Sequence, residues 1–376
     1  MEIILFYGFT ILRFQFPKFC AKIHAMTWTI KGHDWAVDLL RQHIRRGAVR
    51  HAYLFTGPPG IGRRTLALQF AQALNCRAAD EKIPATPGDP CQQCRHCIQI
   101  GRMQQSDLSI ITPEPDSLSI KVEQIRELQY LLSLSPYESR YRIALLADFQ
   151  TATESAQNAF LKTLEEAPQK AILLLTADSA ENLLPTIVSR CEVFRLRPAA
   201  VDAARQILTE MTGMSEEEAL RLSHLTGGRI GSALSLHQDP SALEQLDQIF
   251  NDGLSLLEAS LPERFAYADR FRAKNFGNRK EENIRIKKLA RLTLQTWLLL
   301  WRDVYLICLQ ADIPLVNLDW QEKTTALAEK VSSQAAQLQV AALENTLNLL
   351  ETTNATTQML MEVLLLDWSK PLEEGY

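Results

Sequence analysis

The sequence predicts an α/β domain built on a parallel sheet, followed by a region that is helical throughout. Two observations predict this fold class. Up to about residue 197, short and nearly continuous apolar runs alternate with helical patterns, which is typical of parallel strands that helices cover on both faces. After Pro198 the strand pattern stops, and apolar residues recur at helical spacing instead.

Length and composition indicate a globular protein of several domains. The chain has 376 residues, 46% of them hydrophobic and 22% charged, and one hydrophobic core rarely serves so long a chain. Its 44 acidic and 40 basic residues leave a net charge of -4, which argues against a surface that coats nucleic acid throughout. We expect a sheet domain at 26–197, a small helical domain at 198–242 and a larger helical domain at 243–376.

Residues 1–25 differ from the rest of the chain, being rich in Phe and Ile without a periodic pattern. A signal peptide begins with basic residues, but Glu2 opens this chain and Arg13 interrupts the apolar run. The run is also too short to cross a membrane. We interpret residues 1–25 as a mis-assigned extension and expect the protein to begin at Met26.

Local patterns place one helix and five strands in the sheet domain. Apolar residues between positions 34 and 47 fit a helix, which Gly47 ends. Short apolar runs bounded by turn residues predict strands at 52–55, 108–111, 142–147, 171–176 and 193–196. Helical patterns separate these runs, as a parallel sheet requires.

The first strand is followed by GPPGIGRRT, residues 57–65, which has the spacing of a phosphate-binding loop. That motif reads G-x-x-x-x-G-K-[ST] and lies between a strand and a helix. Gly57 and Gly62 occupy the glycine positions, but Arg63 replaces the lysine and Arg64 replaces the hydroxyl residue. The loop therefore keeps the glycine spacing of the motif but lacks the lysine and the hydroxyl residue that bind phosphate and magnesium.

These replacements predict a pocket that binds nucleotide poorly. Lysine is a slim point charge that fits between phosphates, whereas Arg63 carries a wide planar fork with a different geometry. Arg64 offers no hydroxyl to a magnesium ion, and the hydroxyl of Thr65 is turned by about 100° around the helix. Backbone N–H groups from Gly60 to Arg63 can still hold a phosphate weakly.

Four of the seven cysteines predict a metal site. Cys91, Cys94 and Cys97 form C-x-x-C-x-x-C, and Cys76 lies upstream at the end of the helix behind the phosphate loop. Four thiolates form a closed tetrahedral zinc site, which is structural because no coordination position stays open. Such a site would hold together an insert whose Pro and Gly content prevents it from folding alone.

Three alternatives stay open for these cysteines. They are unrelated free thiols, a zinc site in which His96 replaces one cysteine, and an iron–sulfur cluster, which needs the same number of ligands. The odd total of seven cysteines, three of them crowded together, favours a metal site in a reducing compartment over a disulfide framework. We therefore expect a cytoplasmic protein.

The helical part begins with a small unit and continues with longer helices. Ser215 followed by Glu218 predicts a capping box at a helix start, and TGGRIG breaks the chain behind that helix. Farther on, Trp297 and Trp301 share one helix face. Apolar residues also recur at helical spacing at Val340, Leu343, Leu347 and Leu350. We interpret both stripes as helix core.

Three features together resemble the clamp-loader branch of the AAA+ family. They are the altered phosphate loop, the four-cysteine insert directly behind it, and NAFLKTLEEAP followed by LLPTIVSRC. The resemblance runs from about Thr29 to the end of the chain, and LKTLEE joined to SRC is its most specific part. It implies an AAA+ RecA-like sheet domain with a zinc-binding insert, a small helical lid domain and a C-terminal helical collar domain that joins subunits.

Within that family, the sequence resembles the delta-prime type of bacterial DNA polymerase III subunit, which does not hydrolyse ATP. The resemblance implies a hetero-oligomer with gamma/tau and delta subunits, and contact with a sliding clamp and primed DNA through the complex. Such a subunit belongs to a DNA polymerase holoenzyme without having an active ATPase site of its own.

The resemblance also assigns roles to residues outside the loop. Family ATPases end the strand opposite the loop with two carboxylates, which hold Mg²⁺ and polarise the attacking water. Here Ala147 occupies the magnesium position and only Asp148 remains. Gly231 stands where the second sensor of the family carries arginine. Arg190 matches the arginine that reaches the ATP of a neighbouring subunit.

Two other functions fit parts of the sequence. An active gamma/tau-type ATPase shares the zinc insert and LKTLEE, but it would have to hydrolyse ATP without the loop lysine or the magnesium carboxylate. A zinc-dependent nucleic-acid-binding module outside replication would account for the cysteines alone. ATP turnover by the isolated chain separates the first alternative from a non-hydrolysing subunit, and co-purification with a clamp loader separates the second.

Overall fold

The computed structural model describes residues 28–114, 118–273, 279–353 and 355–368, and it leaves out the side chains of residues 279 and 280. The interpretation of residues 1–25 as an extension falls outside the described residues. None of the described helices combines the length and the hydropathy that a membrane span requires.

A five-stranded parallel sheet forms the centre of the first region, in the spatial order β2-β3-β4-β1-β5. The strands are β1 Ala52–Thr56, β2 Leu108–Ile111, β3 Arg142–Leu146, β4 Ala171–Ala177 and β5 Glu192–Arg195. All five predicted strands are thereby confirmed, and so is the parallel sheet. Strand β4 separates β1 from β3, so the end of β3 lies opposite the loop that follows β1.

Helices cover both faces of this sheet. They are α1 Asp34–Arg45, α2 Arg63–Asn75, α3 Arg95–Gly101, α4 Val122–Ser133, α5 Glu154–Glu165 and α6 Pro185–Val188. Side chains alternate between the faces along each strand. Tyr53 and Phe55 therefore pack with Phe70 of α2, while Leu54 packs with Phe160 of α5 on the other face.

Three short helices follow the sheet and have their own apolar cluster, which includes Leu208 and Leu222. These lid helices are α7 Val201–Thr212, α8 Glu216–Leu225 and α9 Ile230–Gln238. The predicted capping box at Ser215 is only half correct. Its hydroxyl accepts a hydrogen bond from the Glu218 N–H at 3.2 Å, but the Glu218 carboxylate pairs with His237 at 2.8 Å.

The rest of the described chain is helical, as predicted. Its helices are α10 Pro240–Glu258, α11 Leu261–Ala268, α12 Arg279–Cys308, α13 Gln321–Ala328, α14 Ser333–Thr352 and α15 Thr357–Leu366. Trp297 and Trp301 are fully buried in one large apolar cluster, so this stripe is helix core. Along α14, Leu343 and Leu350 are buried, while Val340 and Leu347 pack against the same cluster.

Candidate functional site

The loop between β1 and α2 follows a path that only glycine permits at several positions. Gly57, Gly60 and Gly62 have φ values of 145°, 78° and 105°, which residues other than glycine rarely adopt. The Gly57 N–H donates to the carbonyl of Asp178, just beyond β4, at 3.1 Å. The glycines of the predicted phosphate-loop frame therefore shape the backbone between the strand and the helix.

Arg63, at the lysine position, is buried and forms an ion pair across the pocket. Its Nη2 lies 2.9 Å from Oδ1 of Asp148, which follows β3. Its Nη1 has no accessible surface and no hydrogen-bond partner among the described residues. Burial lowers the pKa of Arg63, and the charges of Asp148 and Asp178 oppose that shift. The buried guanidinium thus interacts with the acidic residues that follow β3 and β4.

The other altered positions offer little to a nucleotide. Arg64 is exposed, and its Nη2 lies 3.0 Å from Sδ of Met103. Thr65 is also exposed. Ala147 is buried directly after β3 and presents only a methyl group. The structure therefore pairs Arg63 with Asp148, and the charge of Asp178 also acts on this guanidinium.

Two residues near this pocket carry no motif that would single them out in the sequence. Thr176, in β4, accepts a hydrogen bond from the Asp148 N–H at 2.9 Å and so positions the residue that pairs with Arg63. Ser232, in α9, donates its N–H to the Gly60 carbonyl at 3.1 Å. A polar residue at the end of the apolar run AILLLT is the only sequence signal for Thr176.

The four predicted cysteine ligands converge on one point. The Sγ atoms of Cys76, Cys91, Cys94 and Cys97 all lie within 4.8 Å of one another, and those of Cys91 and Cys97 are 3.8 Å apart. Thiolates around one zinc ion, each about 2.3 Å from it, are separated by about 3.8 Å. The cluster therefore fits a single tetrahedral ion.

Hydrogen bonds connect the cysteines to one another and to the sheet domain. The N–H groups of Cys94 and Cys97 lie 3.2 Å from Sγ of Cys91 and 3.4 Å from Sγ of Cys94, respectively. A hydrogen bond between the side chains of Cys76 and Cys97 lowers the pKa of the Cys76 thiol and raises the pKa of the Cys97 thiol. Gln72 of α2 donates to the Cys97 carbonyl at 2.7 Å and anchors the cysteine loop to the sheet domain.

The geometry bears on the alternatives for these cysteines. His96 lies outside the group, with its Nε2 3.3 Å from the Glu138 carbonyl, so the variant with a histidine ligand is wrong for this arrangement. Ligands of an iron–sulfur cluster bind different iron atoms and stand farther apart than ligands that share one ion. The short Sγ separations therefore favour a mononuclear site over a cluster.

Arg190 lies at the surface behind α6, away from the phosphate loop. Its Nη2 is 2.8 Å from Oε1 of Glu165, and its Nη1 donates to the Thr186 carbonyl at 2.9 Å. Both side chains of the ion pair are partly exposed. Within this single chain, Arg190 makes a local salt bridge.

This chain is similar to subunits of one bacterial polymerase. The sequence family described as DNA polymerase III, delta subunit, matches residues 32–200. Subunit delta' from Bacillus subtilis is 28% identical over 90% of this chain and 95% of its own length. Subunit delta' from Pseudomonas aeruginosa is 31% identical over 61% of this chain and 68% of its own length. The tau subunit of Escherichia coli is 32% identical to this chain. That alignment covers 55% of this chain and 32% of the tau subunit.

Among solved structures, a DNA polymerase III gamma subunit-related protein from Thermotoga maritima aligns with a TM-score of 0.45 at 18% identity. The alignment covers 89% of this chain and 99% of that one.

Proposed function

Because the chain belongs to the delta-prime family of DNA polymerase III clamp-loader subunits, we propose that it serves in the loader without hydrolysing ATP itself. One observation carries this proposal. The buried guanidinium of Arg63 is paired with Asp148 at 2.9 Å, although these positions serve the nucleotide and its metal ion in an ATPase of this fold. In this chain the two residues bind each other instead.

Hydrolysis of ATP needs more than this pocket offers. A magnesium ion must be held by a carboxylate and a hydroxyl, and a cation must contact the β- and γ-phosphates. Ala147 provides a methyl group, and Arg64 has no hydroxyl and contacts Met103. Asp148 is the remaining carboxylate, and Arg63 neutralises it. The pocket therefore lacks both the metal site and a free cation at the lysine position.

ATP turnover by the purified chain tests this proposal. We expect no turnover above the rate without protein, for the unmodified chain and for Arg63→Ala alike. The gamma/tau subunit from the same organism is the positive control under identical conditions. Turnover that Arg63→Ala abolishes would contradict the proposal and support an active gamma/tau-type ATPase.

The second part of the proposal is a structural zinc ion held by Cys76, Cys91, Cys94 and Cys97. Their close approach supports it, and a bound ion would cross-link the end of α2 to α3. Since four thiolates would complete the coordination shell, the ion would contribute to folding and would leave no position for a substrate.

The third part concerns neighbouring subunits. Arg190 would act on the ATP of an adjacent gamma/tau subunit, where one guanidinium can stabilise the charge that develops during phosphoryl transfer. Its present partner Glu165 is half-exposed, and exposed ion pairs are weak enough for a phosphate to displace one member. The subunit would then complete an active site that it does not itself contain.

The helical region from about residue 243 would provide the main contact with the gamma/tau and delta subunits, and through them with the sliding clamp and primed DNA. Three apolar side chains on α15 support this part. Met359, Val363 and Leu366 are 58%, 58% and 46% exposed, and their spacing places them on one side of the helix.

A further inference from the structure

Residues 76–94 connect α2 to α3 without forming a helix or a strand. Cys76 begins this segment, and Cys91 and Cys94 lie near its end. A long irregular segment has few regular backbone hydrogen bonds, so other contacts must hold it in place. One such contact is made by Asp89, which lies two residues before Cys91.

The carboxylate of Asp89 binds side chains from two other parts of the chain. Asp89 is 9% exposed and Trp28 is 5% exposed. Oδ1 of Asp89 accepts hydrogen bonds from Nε1 of Trp28 at 2.9 Å and from Nε of Arg41 at 2.7 Å. Oδ2 lies 3.8 Å from Nη2 of Arg45. Because Arg41 and Arg45 belong to α1 and Trp28 precedes that helix, one carboxylate joins the cysteine-bearing segment to both.

The backbone next to Asp89 also lies against α1. Nε of Arg45 donates to the Pro87 carbonyl at 2.8 Å. Gly88 has a φ value of 89°, and a Cβ atom there would stand 3.1 Å from the Arg41 carbonyl. Glycine adopts such a φ without strain and leaves room for the helix backbone. Residues 87–89 are therefore docked on α1 by both backbone and side-chain contacts.

We infer that Asp89 is a positioning residue for the metal site, because it holds the segment that leads into Cys91 on α1 and so slows the loss of the ion. A segment that is already held loses less conformational entropy when its cysteines bind a metal. Residues outside the ligand set commonly raise metal affinity by fixing the ligands in this way. The inference rests on the proposed zinc site and adds a contact that the cysteine spacing does not predict.

The coupling must act in both directions. If the docking of residues 87–89 favours the bound ion, the bound ion favours that docking by the same free energy. Removing zinc should therefore loosen the contacts of Asp89 with Trp28 and with α1.

Zinc release from the full chain to a coloured chelator tests this role. Asp89→Asn keeps an acceptor for Trp28 but removes the charge that pairs with Arg41, and we expect zinc release to be about tenfold faster. Trp28→Phe removes only the indole donor and should speed release by a smaller factor, which keeps the inference testable if Asp89→Asn does not fold. The matched control is Asp80→Asn in the same segment. Its side chain is 67% exposed and lies 3.8 Å from Arg77, so release should stay unchanged.

A second control separates positioning from a general loss of stability. Asp303 is a buried carboxylate of α12 that accepts the N–H groups of Val316 and Asn317 at 3.0 Å. Asp303→Asn should destabilise the chain without changing zinc release. Release that is unchanged in Asp89→Asn and Trp28→Phe, or equally fast in Asp303→Asn, would overturn the inference.

Hydrogen exchange measures the reverse direction. Removing zinc from the unmodified chain should speed exchange at residues 28–46 and leave α14 unchanged, and zinc-loaded Asp89→Asn should already exchange faster at residues 28–46. Exchange at these residues that does not respond to zinc would overturn the inference. A chain that holds zinc and releases it at the same rate in both variants would leave the proposed zinc site intact, whereas a chain that binds no zinc would overturn both.

Discussion

Helix α2 joins two sites that differ in what they retain, the phosphate loop before its first residue and the cysteine cluster behind its last. At the loop, the glycines keep the backbone path, but Arg63 pairs with Asp148 and occupies the pocket. At the other end, all four sulfur ligands lie within 4.8 Å of one another. The loop has the glycine spacing of the motif without its lysine and hydroxyl residue, whereas the cysteine cluster has all four sulfur atoms that a tetrahedral metal site needs.

The comparison teaches that packing and chemistry depend on different residues. Leu66, Phe70 and Leu74 of α2 are buried in the core beneath the sheet, and this burial holds the helix in place whatever lies at its ends. The pocket depends on a few side chains that contribute little to the core. Substitutions there can therefore change its chemistry while the fold persists, whereas we expect the segment that carries Cys91, Cys94 and Cys97 to depend on a bound ion for its shape.

The largest expected effect is at the complete site. Cys94→Ser should lower the zinc content from about one ion per chain and destabilise the protein, because zinc contributes about 10 kcal/mol or more to small thiolate sites. Metal analysis and thermal unfolding measure both effects. Cys308→Ser is the matched control, since its sulfur lies outside the cluster, 3.5 Å from the Val331 carbonyl. A metal-free chain of full stability would remove the zinc site.

The next effect lies outside both sites. If the pocket of this chain does not hydrolyse ATP, the chain can still contribute to hydrolysis at the site of a neighbouring subunit. Arg190 is the residue that we propose for this role. Arg190→Ala should lower the DNA- and clamp-stimulated ATPase of the reconstituted loader, by about 10³-fold at the site that it completes. Folding, zinc content and assembly should stay unchanged, because its ion pair with Glu165 is exposed.

A surface arginine with a similar partner provides the control for that experiment. Arg205 of α7 pairs with Glu216 at 3.0 Å, so Arg205→Ala removes the same kind of ion pair without touching the neighbouring site. It should leave the ATPase of the loader unaltered. If an assembled loader that carries Arg190→Ala hydrolyses ATP at the normal rate, Arg190 does not act on the neighbouring site, and its role is limited to the local salt bridge with Glu165.

The two sites also differ in how far the sequence predicts them. The cysteine spacing alone predicts the cluster, because three of the cysteines lie within seven residues of the chain. The strands are equally predictable, because a strand buried on both faces is apolar along its whole length. The pairing of Arg63 with Asp148 is different, since it depends on the order of strands in the sheet. The motif indicates that Arg63 changes the chemistry of the loop, but only the fold shows that it pairs with Asp148.

Contacts between distant segments were the least predictable. The resemblance assigns Gly231, next to Ser232, to the second sensor, but only the fold shows that the Ser232 N–H donates to the Gly60 carbonyl. The Glu218 carboxylate was expected to complete a capping box, but His237 competes for it across the lid helices. Local patterns predict which bonds are available, and tertiary contacts decide which of them form.

A smaller effect is expected inside the pocket. Asp148→Asn should destabilise the chain by about 1–3 kcal/mol, because it removes the carboxylate that pairs directly with the buried guanidinium of Arg63 and leaves only the charge of Asp178 nearby. Denaturant unfolding measures the change. Asp38→Asn is the control, because its ion pair with Arg41 is more exposed and should contribute about 1 kcal/mol or less. Equal effects of the two substitutions would mean that the pocket is not closed to water.

The smallest effect should come from Arg63→Met, which removes the other member of the same pair. Methionine has nearly the same length and fills an apolar space, and it has no unpartnered donor like Nη1 of Arg63. The side chain of Asp148 is 47% exposed, so it can turn to water when its partner is lost. Replacing a buried charge by an apolar side chain in this way is often close to neutral, and we expect the free energy of unfolding to change by less than about 1 kcal/mol.

The size of that change decides how the two ends of α2 should be compared. A small change would mean that Arg63 contributes almost nothing to the stability of the fold, so that its proposed effect on the pocket would be one of chemistry alone. A loss of several kcal/mol in Arg63→Met would contradict this interpretation. The ion pair would then stabilise the fold, as we expect zinc to do at the other end of the helix, and the pocket would have exchanged its ligand for a structural contact within the chain.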